Sequence, residues 1–416
     1  MSTNFSKIYE EFLKNFFNNF LLYFATNHTK IAIIEMLARV IYYIDMEEMK
    51  LSQPKAARTI NKARVLGALR TQSNLSKAEI ARLLSLNKVS TGEIVDELIS
   101  EGLVTETGKM ESTNGRRPTC LSLVPDAKYV LSVEIGSRNT TVALCNVLSQ
   151  PVHFERIPTN TKVEKVEEFC VDIIKSCIRV IRLADQSKIV GAGISVGGKV
   201  SEDGRTIIRC PYLPWKNIPI AEAFEQVLKI KAVARNSTYA LVDAERYASY
   251  GTDLLVSDEP IIYIEWGDSV SMALVCEDRV FGGSGDFAHL KVSPTGLCSC
   301  GKIGCLQANV SAWALSGNTD MHLKDLWDRV DSSVLTCMAN AIEMTVQITG
   351  SEKVIISGEG ASITQSCLEK LRELCPQMKI ERSMLGERAN TMAAAEIALD
   401  NWVYLTSMLE KVAAWL

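Results

Sequence analysis

The 416-residue chain has no run of about 18 uncharged apolar residues, the length a helix needs to cross a bilayer. The nearest approach, residues 16–25, is interrupted by Asn18 and Asn19, so no membrane span is expected. A secretory leader is missing too: there is no basic start, compact apolar run and small-residue cleavage site. With twelve cysteines in the chain, that absence points to a reducing compartment, the cytoplasm. Most thiols (Cys145, Cys170, Cys177, Cys276, Cys337) sit singly in apolar stretches and read as small buried hydrophobes. Charge excess is also lacking. The net charge of -4 gives no case for a protein that coats nucleic acid along its whole surface.

What is present is uneven. Residues 55–117 carry eleven basic and seven acidic side chains, a net +4, which leaves the remainder at -8. A basic module on an acidic body fits a small DNA-binding head. Hydrophobic residues make up 47% and charged residues 23%, so sizeable cores are expected, in two or three domains at this length. Residues 1–48 are rich in Phe, Asn, Ile and Tyr and look foreign to the rest. They read either as an over-long start, with Met49 opening the protein, or as an extra helical arm used in dimerisation or membrane-surface contact.

A head is expected over residues 49–124. Val65, Leu66 and Leu69 fall at helical spacing within residues 61–71. Ser76 and Glu79 then form a capping box, in which the hydroxyl and the carboxylate satisfy free amides at a helix start. The spacing predicts a helix over 77–84 with Ile80, Leu83 and Leu84 inward. A tight turn and a longer helix over 87–100, stopped by Gly102, follow. This is a helix-turn-helix, whose last helix places its first residues in the major groove. Asn87, Lys88, Ser90 and Thr91 are therefore the candidate DNA contacts. Residues 103–105 and 121–123 read as paired strands, joined by a loop that ends Asn114-Gly115-Arg116-Arg117-Pro118. A basic, Gly-containing hairpin tip is a wing suited to phosphates or a narrow minor groove, which adds Arg116 and Arg117.

Beyond Pro125, β-rich alternation (129–133, 140–146, 189–196, 261–265, 271–276, 354–357) mixes with helical stretches such as 166–183, the pattern of an α/β body. Within it lies His289-x8-Cys298-x-Cys300-x4-Cys305, with Gly296, Gly301 and Gly304 between the candidate ligands. One histidine and three thiolates make a closed tetrahedral Zn²⁺ site with no open position, which favours a structural metal. A disulfide would leave one of the three cysteines unpaired.

Together these motifs resemble the ROK family of sugar-responsive repressors and sugar kinases. Gly285 through His289 and Cys298 through Gln307 match its zinc signature, and Gly115 through Pro118 match the wing of its repressor branch. The resemblance covers about residues 49–416. It implies an N-terminal winged helix-turn-helix followed by a two-lobed actin-like ATPase (sugar kinase-like) body. Lobe I would span 125–235, completed by about 388–416, and lobe II with the zinc site 236–387. It further implies a cleft ligand that modulates operator binding, with zinc buttressing the sugar site through the histidine.

Departures from the kinase pattern are concentrated in the chemistry. The family's Asn-Asp pair, whose Asp takes the proton of the sugar hydroxyl, is Asn236-Ser237. A positioned base of this kind is worth about 10²–10⁴-fold, and a serine hydroxyl is no base near neutral pH. The first phosphate loop, Asp-x-Gly-x-Thr in the family, reads Glu134-Ile135-Gly136-Ser137-Arg138. The second, Gly-Thr-Gly-x-Gly, reads Gly267-Asp268-Ser269-Val270-Ser271. No catalytic residue is therefore assigned, and the body is expected to lack kinase activity. The candidate ligand residues by resemblance are Gly197, Gly198, Asn236, Asp286, His289 and Gln307. Asp286 and Gln307 each replace a glutamate, and Tyr212 stands where the family has Asn. Either the ligand is not the usual hexose or sugar sensing has decayed. The expectation is a homodimeric, cytoplasmic DNA-binding regulator of carbohydrate genes, most simply a repressor. A sugar kinase with a fused head and a protein-interaction module are the alternatives.

Overall fold

The computed structural model describes residues 54–109, 118–163, 165–276, 279–282, 287–317, 319 and 321–405. The chain divides into two compact units, Met1–Lys62 and Ala63–Leu416. Of the first, only residues 54–62 are described, as the start of helix α1 (Pro54–Thr71). The extension over 1–48, the wing arginines Arg116 and Arg117, and Asp286 lie outside the described residues.

In the second unit α1 is followed by α2 (Lys77–Leu83) and α3 (Lys88–Ser100). The capping box forms: Ser76 Oγ accepts from Glu79 N at 3.3 Å and Glu79 Oε2 from Ser76 N at 2.8 Å. Ile80 is buried and Leu84 partly so, and Ala81, on the far side of them from Leu83, is buried beside them. Leu83 is thereby turned outward and is 46% exposed, a correction to the inward position expected for it. Strands β1 (Val104–Lys109) and β2 (Thr119–Leu123) pair antiparallel, Val104 opposite Leu123. Val65, Leu66 and Leu69 of α1 close on Ile94, Val95 and Leu98 of α3. The same apolar cluster continues into Val130, Ala143 and Cys145 of the body and Leu399 and Tyr404 near its end. No core boundary therefore falls at residue 124, where the sequence pattern changes.

The body repeats one topology. In lobe I, β3 (Tyr129–Ile135), β4 (Asn139–Asn146) and β5 (Pro151–Pro158) form an antiparallel meander. Helix α4 (Val166–Ile181) returns the chain to β6 (Ile189–Val196), parallel to β3. A small sheet of β7 (Lys199–Val200), β8 (Ile207–Arg209) and β9 (Lys216–Ile218) follows, then α5 (Ile220–Leu228) and β10 (Ala232–Asn236), parallel to β6. Helix α6 (Ser237–Ala248) leads to lobe II. There β11 (Ile261–Trp266), β12 (Val270–Cys276) and β13 (Arg279–Gly282) are again antiparallel. Short α7 (Gln307–Val310) and α8 (Ala312–Leu315) and long α9 (Ser332–Thr349) precede β14 (Lys353–Ser357), and α10 (Gln365–Leu374) precedes β15 (Lys379–Arg382). The sheet orders, β5-β4-β3-β6-β10 and β13-β12-β11-β14-β15, are the same order twice. This is the actin-like duplication. Among the described residues no helix is long and apolar enough to cross a membrane.

Helix α11 (Ala389–Trp402) packs back on lobe I. The approach is so close that a Cβ on Gly193 of β6 would lie 2.1 Å from the Ala394 carbonyl oxygen. The other side of α11, through Ala393 and Ile397, packs with Ala240 and Leu241 of α6.

Candidate functional site

Three places carry polar chemistry: the start of α3, the cysteine loop and the cleft between the lobes. Asn87 caps α3, its Oδ1 accepting from Val89 N at 2.8 Å. Asn87, Lys88, Val89 and Ser90 are exposed in succession. Thr91 is not: it is fully buried, and its hydroxyl donates to the Asn87 carbonyl at 2.9 Å. Its expected DNA contact is corrected on that ground. The reason is periodic, since 91, 94, 95 and 98 share one helical face and the other three form the head core. Val89, grouped by its sequence with the apolar residues Ile94, Leu98 and Ile99 of this helix, is instead 70% exposed, because it lies on the side of α3 opposite that buried face.

The cysteine loop brings His289, Cys298, Cys300 and Cys305 together, with all donor atoms within 4.8 Å of one another. Cys298 Sγ lies 3.6 Å from His289 Nδ1, and Cys300 Sγ 3.7 Å from Cys305 Sγ. Zn–S bonds of about 2.3 Å at tetrahedral angles require edges of about 3.8 Å, so the donor set fits the metal. The same 3.7 Å separation is far too long for a disulfide. Gly304 makes the convergence possible: at φ +86°, a Cβ there would sit 1.8 Å from the Ser293 carbonyl oxygen. The loop is rooted in lobe II through buried Phe287, Ala288 and Leu306.

A cleft of about 560 Å³ is lined by Glu134, Gly136, Gly197, Ser237, Glu265 and Asp268 among others. Of the candidate ligand residues that the structure describes, Gly197 is on its wall, and Gly198, Asn236, His289 and Gln307 are not among the residues that line it. Asn236 Oδ1 caps α6 through Thr238 N and Tyr239 N, and its Nδ2 donates to the Gly198 carbonyl at 2.7 Å. Gln307 Oε1 accepts from Val270 N at 2.9 Å and shapes the second hairpin. Tyr212 fills the space between the lobe I strand ends: its hydroxyl accepts from Gly197 N at 3.1 Å and donates to the Ile135 carbonyl at 2.5 Å.

The three kinase departures acquire a common geometry. Ser237 Oγ donates to Glu265 Oε2 at 2.9 Å, where Thr238 and Ser271 hydroxyls also converge. Glu265 was not singled out in the sequence, where nothing but its place at a strand end marks it. The two hairpin turns meet face to face. Arg138 Nε donates to Asp268 Oδ2 at 2.7 Å, Nη2 pairs with Oδ1, and Nη1 donates to the Met321 carbonyl at 2.8 Å. The turn amides are used internally, Gly136 N to the Asn139 carbonyl and Gly267 N to the Ser269 carbonyl. The space between the hairpins is thus held by an internal ion pair.

Glu134 is buried in the cleft wall, with Asn390 Nδ2 donating to its Oε1 at 2.8 Å. Burial, with Glu265 nearby, raises its pKa above the ordinary carboxylate value, against the pull of Asn390 and Arg156. A raised folded-state value means that the protonated form is favoured on folding. Its contribution is present below the ordinary value of 4.5 and is lost as pH rises through the raised one. Glu134→Gln, which keeps the acceptor for Asn390, is expected to raise the thermal midpoint at pH 8, with the gain fading toward pH 4. Calorimetry across that range checks it; a pH-independent difference would refute the assignment.

The ROK family model matches residues 130–381. The chain belongs to the ROK family. A xylose repressor of Caldicellulosiruptor bescii is 27% identical over 391 residues, covering 82% of this chain and 96% of that protein. A DNA-binding transcriptional dual regulator of Escherichia coli is 22% identical, covering 84% and 96%. Among solved structures, a ROK family transcriptional regulator described as a homolog of the E. coli MLC protein aligns with a TM-score of 0.65 at 19% identity, covering 85% of this chain and 99% of that one. A ROK family glucokinase from Streptomyces griseus, in complex with glucose and AMPPNP, aligns with a TM-score of 0.55 at 16% identity, covering 65% and 98%. The regulator covers the larger share of this chain and the kinase the smaller.

Proposed function

We propose that this ROK protein is a cytoplasmic DNA-binding repressor of carbohydrate-related genes, with a sensor body that has no kinase activity. The observation that carries the reading is the start of α3, where residues 87–90 stand exposed in a row on a capped, core-anchored helix. Lys88 and Ser90 suit phosphates and base edges, and Val89 suits a thymine methyl group. Arg116 and Arg117 would serve as the wing. Zn²⁺ at His289, Cys298, Cys300 and Cys305 would close the lobe II loop as a structural ion. The cleft would take a sugar-class effector, and a homodimer would read a palindromic operator. The names of the two regulator relatives agree with this reading.

Selection of a duplex from a random library by the full chain tests it. A reproducible enriched motif is expected, and none would sink the proposal. On that motif Lys88→Ala is expected to weaken binding several-fold and to make its log-log salt dependence shallower by about one unit. A coupled ADP-release assay over glucose, N-acetylglucosamine, N-acetylmannosamine, fructose and xylose is expected to read background. Ser237→Asp is expected to stay there, because Arg138 and Asp268 still fill the space where phosphates would be held. Sugar-dependent turnover abolished by a cleft mutation would move the protein to the kinase branch.

A further inference from the structure

We infer that Arg70, in the DNA-binding head, is the joint through which the angle between the two lobes sets the position of the DNA-reading helix. The inference rests on the head and cleft having the roles proposed above. Arg70 lies in the last turn of α1, whose Val65, Leu66 and Leu69 pack on α3. Its side chain is 6% exposed and meets the lobe I turn, α6 and α11, which are also tied to one another, Ser149 to Glu396 and Tyr247 to Asp400. Nη2 donates to Ser149 Oγ at 2.9 Å, in the lobe I turn between β4 and β5. The guanidinium stacks 3.8 Å from the ring centroid of Tyr247, on α6, whose Ala240 and Leu241 pack into the lobe II sheet. Nη1 donates to Glu396 Oε2 at 2.8 Å, Nη2 pairs with Oε1, and Tyr404 closes the other side at 4.5 Å. Gln72, two residues on, donates to Tyr250 Oη at 3.3 Å.

The two helices that hold Arg70 both begin in the cleft. Ser237 opens α6 on the cleft wall; Ala389 and Asn390 open α11 there, with Asn390 tied to Glu134. Arg70 is met about seven to ten residues further along, a run of roughly 10–15 Å of rigid helix. A change of lobe angle moves Tyr247 relative to Ser149. The guanidinium, stacked on Tyr247 and hydrogen-bonded to Ser149 and Glu396, must adjust, and α1 with it, because the charge-assisted bonds to the body are directional where apolar packing would slip. Burial alone would lower the pKa of Arg70, yet Glu396, Tyr404 and Tyr247 hold it raised, so the joint keeps its charge. At the opposite edge of the cleft the Arg138–Asp268 pair ties lobe I to lobe II. That pair offers a way to change the lobe angle without an effector.

The test is a mutant cycle on the full chain, read by hydrogen exchange of the α3 amides. Asp268→Asn, which unties the lobes, is expected to change α3 exchange by about threefold or more in the wild-type background. In Arg70→Met/Glu396→Met, which replaces the pair by apolar side chains, the same change is expected to shrink below about 1.5-fold. Arg138→Gln is the second way to untie the lobes and Glu396→Gln the second way to weaken the joint, should either first variant fail to fold. Unchanged α3 exchange on untying the lobes overturns the inference, as does a change that persists undiminished without the joint. Failure of the DNA-binding reading shows separately, as the absence of an enriched duplex motif while the exchange coupling remains.

Discussion

Cys305→Ser is expected to take the protein from about one bound zinc per chain to none and to unfold lobe II at a markedly lower temperature. Structural zinc sites bind with apparent free energies of about 10–16 kcal/mol in finger peptides, and that binding is folding free energy. If only about 3 kcal/mol of it supports lobe II, the thermal midpoint falls by about 10 °C for a domain of this size. Cys305 is buried and adjoins Leu306, which is fully buried in the lobe II core, so loss of the site reaches the core directly. Cys177→Ser, at a buried thiol of lobe I, is the control and is expected to leave zinc content unchanged. Elemental analysis and calorimetry read both variants. A metal-free, well-folded wild-type preparation from zinc-replete cells would remove zinc from the account.

Arg70→Met alone is expected to cost about 3–5 kcal/mol, the usual price of stranding one partner of a buried ion pair. Glu396 is 1% exposed, and besides Arg70 its remaining hydrogen-bond partner is the Ser149 hydroxyl. Adding Glu396→Met should recover most of that loss, since a buried pair replaced by apolar side chains of similar volume is often neutral. Urea unfolding of the single and double variants separates the two effects. A single-variant loss below about 1 kcal/mol would mean that water reaches the pair.

Much of the chemistry was legible along the chain because it is local. The capping box at Ser76 and Glu79 spans four residues, and three of the four candidate metal donors fall within eight residues, so spacing alone brought them near one another. Alternation and helical periods likewise marked β3, β4, β6, β11, β12 and β14, because each element's own residues set its period. Thr91 and Leu83 went astray for a related reason: residue type was allowed to decide where the helical face should have. Thr91 shares the face of Ile94, Val95 and Leu98, and the buried face of α2 runs through Ile80, Ala81 and Leu84, away from Leu83.

By itself, then, the amino-acid sequence determined the α/β class, the two short helices with a tight turn between them, and the grouping of His289 with three cysteines. Each follows from neighbours in the chain, whose geometry is constrained by covalent distance. Only the tertiary structure decided how distant residues share space. Arg138 and Asp268, 130 positions apart, look like two separate defects in the sequence and form one interlobe ion pair in the fold. Asn236 caps α6, and Gln307 accepts from Val270 N across 37 positions, partnerships that the sequence did not show. Arg70 and Glu396, 326 positions apart, carry no motif at all. Their pairing depends on where α11 returns across lobe I, and that is settled by the packing of whole sheets and helices.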